Sequence, residues 1–122
     1  MHATPPMTST ELHAIRTSHG LSLADTAHIL GVNERTVRRW ESGTSPIPAG
    51  VAAEVLAINE TIDQVAERIA AEWRDADGLW SVDTSALPGW AADTIPAVWH
   101  AGAARAVELH GVRLTSSPRL WG

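Results

Sequence analysis

Three arginines within five residues, Arg35, Arg38 and Arg39, form the densest concentration of chemistry in the chain. A guanidinium group stays charged and presents its donors as a rigid fork, so it suits anionic or acceptor-rich partners. The chain as a whole carries a net charge of −5, which argues against a general binder of polyanions. That charge is unevenly spread. Residues 1–50 set Arg16, Arg35, Arg38 and Arg39 against Glu11, Asp25, Glu34 and Glu41 and so balance, while the remainder holds the whole acidic excess. Positive charge focused on one short element suits a reader of DNA edges better than a coater of DNA.

Other chemistries find less support. His2, His13, His19, His28, His100 and His110 form no metal-ligand motif such as HExxH, so they read as surface residues and no metal is expected. No GxSxG, Walker or GxGxxG sequence occurs. Glu60, Asp63 and Glu67 read as the solvated face of a helix, and neither enzymatic activity nor a cofactor is expected. The absence of Cys removes disulfide frameworks and thiolate metal sites and lends no support to an extracellular home. The start, MHATPPM, lacks the charged and apolar regions of a signal peptide, and Met7 could itself be the natural start. No apolar run approaches the roughly 18 residues of a membrane helix. A cytoplasmic protein with no membrane partner is the expectation. At 122 residues the chain fits one compact domain, or a small head with an appended dimerisation segment.

The elements that must position the arginines are legible from caps and breakers. A first helix is predicted from near Ser9, where Thr8, Ser9 and Thr10 offer capping hydroxyls and Leu12 with Ile15 begins an apolar face; Gly20 ends it. A second follows in SLADTAHIL, with Ser22 and Asp25 as a capping box and Leu23, Ala27 and Leu30 at helical spacing, broken by Gly31. Asn33 caps a third, ERTVRRWES, which places Val37 and Trp40 on one face and the arginines largely elsewhere; Gly43 closes it. Pro48 is well placed to open a long fourth helix. There Val51, Val55, Ile58, Ile62, Val65 and Ile69 recur in steps of 4, 3, 4, 3 and 4, with Trp73 a turn further on. That seam needs a partner. Beyond RDADG, LWSVD alternates as a short strand, LPGWAADTIP is punctuated by Pro and Gly, a last helix runs from Pro96, and VRLT reads as a second strand.

Two short helices around Gly31 have the spacing that docking into a DNA major groove demands, since a recognition helix must project beyond its support. By spacing alone they could equally be any packed helical hairpin. The residues narrow the choice. LSLADTAHILGVNERTVRRWESG followed by PIP resembles the Cro and phage-repressor, or XRE-like, helix-turn-helix family, with Ala27, Gly31, Val32, Val37, Trp40, Glu41 and Gly43 at its consensus positions. TELHAIR is similar to its first helix, and the resemblance covers about residues 8–60.

The resemblance implies a recognition helix from Asn33 to Ser42 lying in the major groove, with its N-terminal residues nearest the bases. Arg35 and Arg38 are then the candidates for base readout, because a guanidinium fork can donate twice to guanine O6 and N7, worth about 1–3 kcal/mol of discrimination. Glu34 could accept from cytosine N4, and Asn33 belongs to the same base-facing set. Arg39 is assigned to phosphate. Asn33, Thr36, Thr44 and Ser45 can offer donors to the DNA backbone. Many family members carry Gln at the position of Leu23, where it helps to anchor that backbone; Leu cannot donate, so anchoring must rely on Ser22 and the loop. The family also implies a partly buried structural ion pair between Arg16 and Glu41. Trp40 and the other tryptophans read as packing residues.

The long fourth helix and the Trp- and Ala-rich last helix ending HGVRL are similar to the YdiL-like, anti-CRISPR-associated (Aca) regulator branch of that family. Its members are dimeric repressors with an N-terminal DNA-binding head and a C-terminal dimerisation part, and some are autoregulators. The implied fold is mainly α: residues 8–75 form a head of four to five helices, and residues 76–122 a small strand-helix-strand dimerisation element. The implied partners are a second copy of the chain and a palindromic operator in double-stranded DNA. A rival reading is an antitoxin that binds a protein toxin as well as its own promoter. The four tryptophans and apolar helix after residue 75 favour an autonomously folded dimer interface over a toxin-gripping tail. No stacking platform or RNA-module motif supports RNA binding.

Overall fold

The structure, a computed structural model, describes residues 6–76, 80–82 and 94–116. The protein is mainly helical. Four helices come first: α1 (Ser9–Ser18), α2 (Leu23–Leu30), α3 (Glu34–Glu41) and α4 (Ala49–Ala76). Strand β1 (Trp80–Val82), helix α5 (Pro96–His110) and strand β2 (Leu114–Ser116) follow. The initial MHATP, most of the LPGWAADTIP segment predicted to be punctuated by Pro and Gly, and the C-terminal six residues lie outside the described residues.

Each of the first three helices is started by its own sequence. At α1 the Thr8 hydroxyl accepts from the Glu11 N–H while the Thr8 N–H donates to the Glu11 carboxylate, a reciprocal capping box. Ser22 and Asp25 repeat the device at α2. Asn33 caps α3. Between α2 and α3, Gly31 adopts a left-handed φ of 67°, and the Gly31 and Val32 N–H groups return to the carbonyls of His28 and Ala27. This is a Schellman closure, and it satisfies carbonyls that the helix end would otherwise strand. At α4 the first helical bond is accepted by the Pro48 carbonyl, consistent with proline's fixed φ at a helix start.

The described residues group into two compact units, one reaching to Glu60 and the other starting at Thr61, so the division falls inside α4. In the first unit, Leu12, Ala27, Leu30, Val37, Trp40, Ile47 and Val55 form one buried core, with Ile15, Leu23, Val32 and Val51 packed at its edge. In the second, Val65, Ala66, Ile69 and Ala70 of α4 pack with Trp99, Ala103 and Ala106 of α5 and with Val112. The apolar seam of α4 thus finds partners within the chain: helices α1 to α3 in the first unit and α5 in the second. Gly102 lets α5 approach closely, because a Cβ there would overlap the Val65 side chain. Strands β1 and β2 pair in parallel, with Trp80 opposite Leu114 and Val82 opposite Ser116.

Candidate nucleic-acid interface

Helix α3 divides its residues sharply between two environments. Val37 is fully buried and Trp40 is 6% exposed, so the i, i+3 pair that anchors α3 faces the core of the first unit. Glu34, Arg35, Arg38 and Arg39 are all exposed. Among the described residues no carboxylate pairs with Arg35, Arg38 or Arg39. Three cations therefore stand unneutralised on the outward surface of a helix whose orientation is fixed by its opposite face.

Asn33 sits just before this helix with its carboxamide locked. Its Oδ1 accepts from the Thr36 backbone N–H at 2.9 Å and from the Thr36 hydroxyl at 3.0 Å. At the far end of α3, Gly43 turns the chain at a φ of 79°, and the Arg39 carbonyl accepts from the N–H groups of Thr44 and Ser45. The Thr44 hydroxyl meets that of Ser42 at 2.8 Å. Asn33, Glu34, Arg35, Thr36, Arg38 and Arg39 thus lie on α3 or its cap, with Thr44 and Ser45 in the turn that closes it. Ser22 lies apart at the start of α2, where its hydroxyl already accepts the Asp25 N–H and the Asp25 carboxylate lies 3.0 Å from its backbone nitrogen. A negative charge there neutralises much of the attraction that a helix N-terminus offers an anion.

Behind the exposed face, Glu41 ties the end of α3 to α1. Its two oxygens receive Arg16 Nε at 2.6 Å and Arg16 Nη2 at 3.0 Å, a two-bond pairing that also fixes direction. Arg16 Nη1 continues to the Leu21 carbonyl at 2.8 Å. Both partners are largely shielded, with side chains 13% and 10% exposed. Burial pushes the Glu41 carboxyl up, but the hydrogen bonds and charges of Arg16 and His13 hold it below the ordinary glutamate value. The Arg16 guanidinium is raised by the same hydrogen bond, against the opposing effect of burial.

His13 is a member of this cluster that sequence reasoning placed on the bare surface. Its Nδ1 lies 2.7 Å from Glu41 Oε1. The signal for it was present, since His13 and Arg16 are three residues apart and so share one face of α1. No group of three His, Asp or Glu side chains among the described residues gathers as a metal site. No helix among them is long and apolar enough to cross a membrane.

A family model described as Aca2/YdiL-like matches residues 7–84, which takes in the whole of α1 to α4 and β1. No match to a curated protein was found.

Proposed function

The chain belongs to the Aca2/YdiL-like family, and on that premise we propose that it is a sequence-specific DNA-binding transcriptional regulator. The observation that carries this reading is the outward face of α3, where three exposed arginines have no carboxylate partner among the described residues and follow a glycine-closed helix turn. Arginines held in this way on a rigid helix are positioned to reach base edges, whereas flexible surface charges reach phosphates indiscriminately.

In this proposal α3 enters the major groove as the recognition helix of an XRE-like motif. Arg35 and Arg38 read bases, Glu34 accepts from cytosine, and Arg39, Thr44 and Ser45 hold phosphates. Ser22 keeps a hydroxyl proton to donate to a phosphate, although the neighbouring Asp25 carboxylate weakens that end of α2 as an anchor. The Arg16 and Glu41 pair works from behind, fixing the angle at which α3 leaves the core.

The working unit is a homodimer acting as a repressor on an inverted-repeat operator, in the cytoplasm, with its own promoter as one such target. Dimerisation is assigned to the C-terminal strand-helix-strand element. Val107 is 42% exposed and Leu109 69% exposed on α5, apolar side chains that a partner chain would cover. Selection of bound duplexes from a random DNA pool by the purified protein tests the reading. Enrichment of one sequence at physiological salt supports it. Weak, salt-sensitive binding without enrichment overturns it and points to a protein partner, such as a toxin.

A further inference from the structure

We propose that Asn33 is a donor-only contact to DNA, offering its amide N–H groups to an acceptor atom and never reading adenine by the paired donor and acceptor of its carboxamide. The inference rests on the DNA-binding reading above and specifies the chemistry of one residue within it. A carbonyl oxygen has two lone pairs. Asn33 Oδ1 already receives two donors, the Thr36 N–H and the Thr36 hydroxyl, at 2.9 and 3.0 Å. The first of these fixes which atom of the carboxamide faces the helix, because a backbone N–H can only be met by oxygen.

Two consequences follow from that saturation. The carboxamide of a free asparagine can grip adenine by accepting from N6 while donating to N7. With its oxygen turned into α3 and filled, Asn33 has only Nδ2 to offer outward, from an exposed position at the start of the helix. The partner must therefore be an acceptor: a phosphate oxygen, or a base-edge acceptor such as purine N7, guanine O6 or thymine O4. Thr36, whose hydroxyl proton is directed at Asn33, cannot donate to a phosphate while that bond holds, so it acts as a positioning residue through Asn33.

The side chains that cap helices allow a clean test. Asp caps about as well as Asn, and Gly with a loss of only a few tenths of a kcal/mol, so Asn33→Asp and Asn33→Gly remove the outward donor and keep the start of α3. Both variants should melt within a few degrees of the wild type. The probes are the duplex that the wild-type protein enriches from a random pool and a scrambled duplex of the same length. Asn33→Gly should bind the enriched duplex about tenfold more weakly, the loss expected for one hydrogen bond to a DNA acceptor. Asn33→Asp should lose more, since it adds charge repulsion. Loss on both duplexes assigns the acceptor to phosphate, and loss on the enriched duplex alone assigns it to a base edge. Wild-type affinity in Asn33→Gly overturns the proposal even if Asn33→Asp binds poorly, because the defect would then be repulsion alone. Failure of the wild type itself to discriminate the duplexes would instead overturn the DNA-binding reading.

Discussion

Arg35, Arg38 and Arg39 are chemically identical, so their roles separate only through what each substitution does to different DNA sequences. Arg35→Ala or Arg38→Ala should cost about 1–3 kcal/mol on the enriched duplex and relax preference at one base position. Arg39→Ala should weaken binding to all sequences alike and lower the salt slope by about one. Titrations on matched and mismatched duplexes at several salt concentrations distinguish the two patterns; equal losses everywhere for all three would contradict the assignment. Behind them, Glu41 carries a prediction about pH. Its pKa is lower in the folded state, so the stability it adds is present above the ordinary value of about 4.3 and is lost as pH falls through the depressed one. Glu41→Gln should therefore destabilise the protein by about 1–3 kcal/mol near neutrality, through a weakened bond to a shielded arginine. Paired melts should show that deficit shrinking toward pH 3, and a deficit independent of pH would rule out the ionised pair as its source. The arginines could be picked out in the sequence because their density is a one-dimensional property. His13 could be placed beside Arg16 but not against Glu41, which only the packing of α3 on α1 brings there, and the second hydrogen bond on Asn33 Oδ1 depends on the rotamer that Thr36 adopts.

At the scale of elements, the glycines separate local from distant causes. Gly31 has open space around the position of a Cβ but a φ of 67°, so Gly31→Ala should cost about 1–2 kcal/mol through backbone strain alone. Gly102 has ordinary helical backbone, and a Cβ there would overlap Val65. Gly102→Ala should cost about 1–3 kcal/mol by overpacking, and a Val65→Ala change in the same protein should recover part of that loss. Denaturant midpoints check both, and an additive double variant would show that the two residues do not share the contact. The caps at Thr8, Ser22 and Asn33 were legible because a capping bond spans three residues and leaves a signature in the sequence. The α4 seam was legible as a period, but the period does not say what covers it; the side chains of α1 to α3 cover one stretch and those of α5 another. Gly102 in a helical run reads simply as a weak helix former, because its reason lies on a different helix.

For the whole molecule, the proposed dimer sets its two heads on successive major grooves, and so needs an operator made of two inverted half-sites about 34–36 Å apart. The mass of the complex in solution should correspond to two chains per duplex, and halving the spacing between half-sites should abolish tight binding. A single chain on an asymmetric site would contradict that architecture while leaving α3 as the reading element. Whatever the symmetry of the complex, the exposed face of α3 is proposed to discriminate between DNA sequences. That discrimination is tested most directly by the ratio of affinities for the enriched duplex and its scrambled counterpart, measured at physiological salt in the wild type and in Arg38→Ala. The ratio should be at least about 1,000 in the wild type and reduced about tenfold or more in the variant. A ratio near one in the wild type, with affinity set by salt alone, would contradict the proposal.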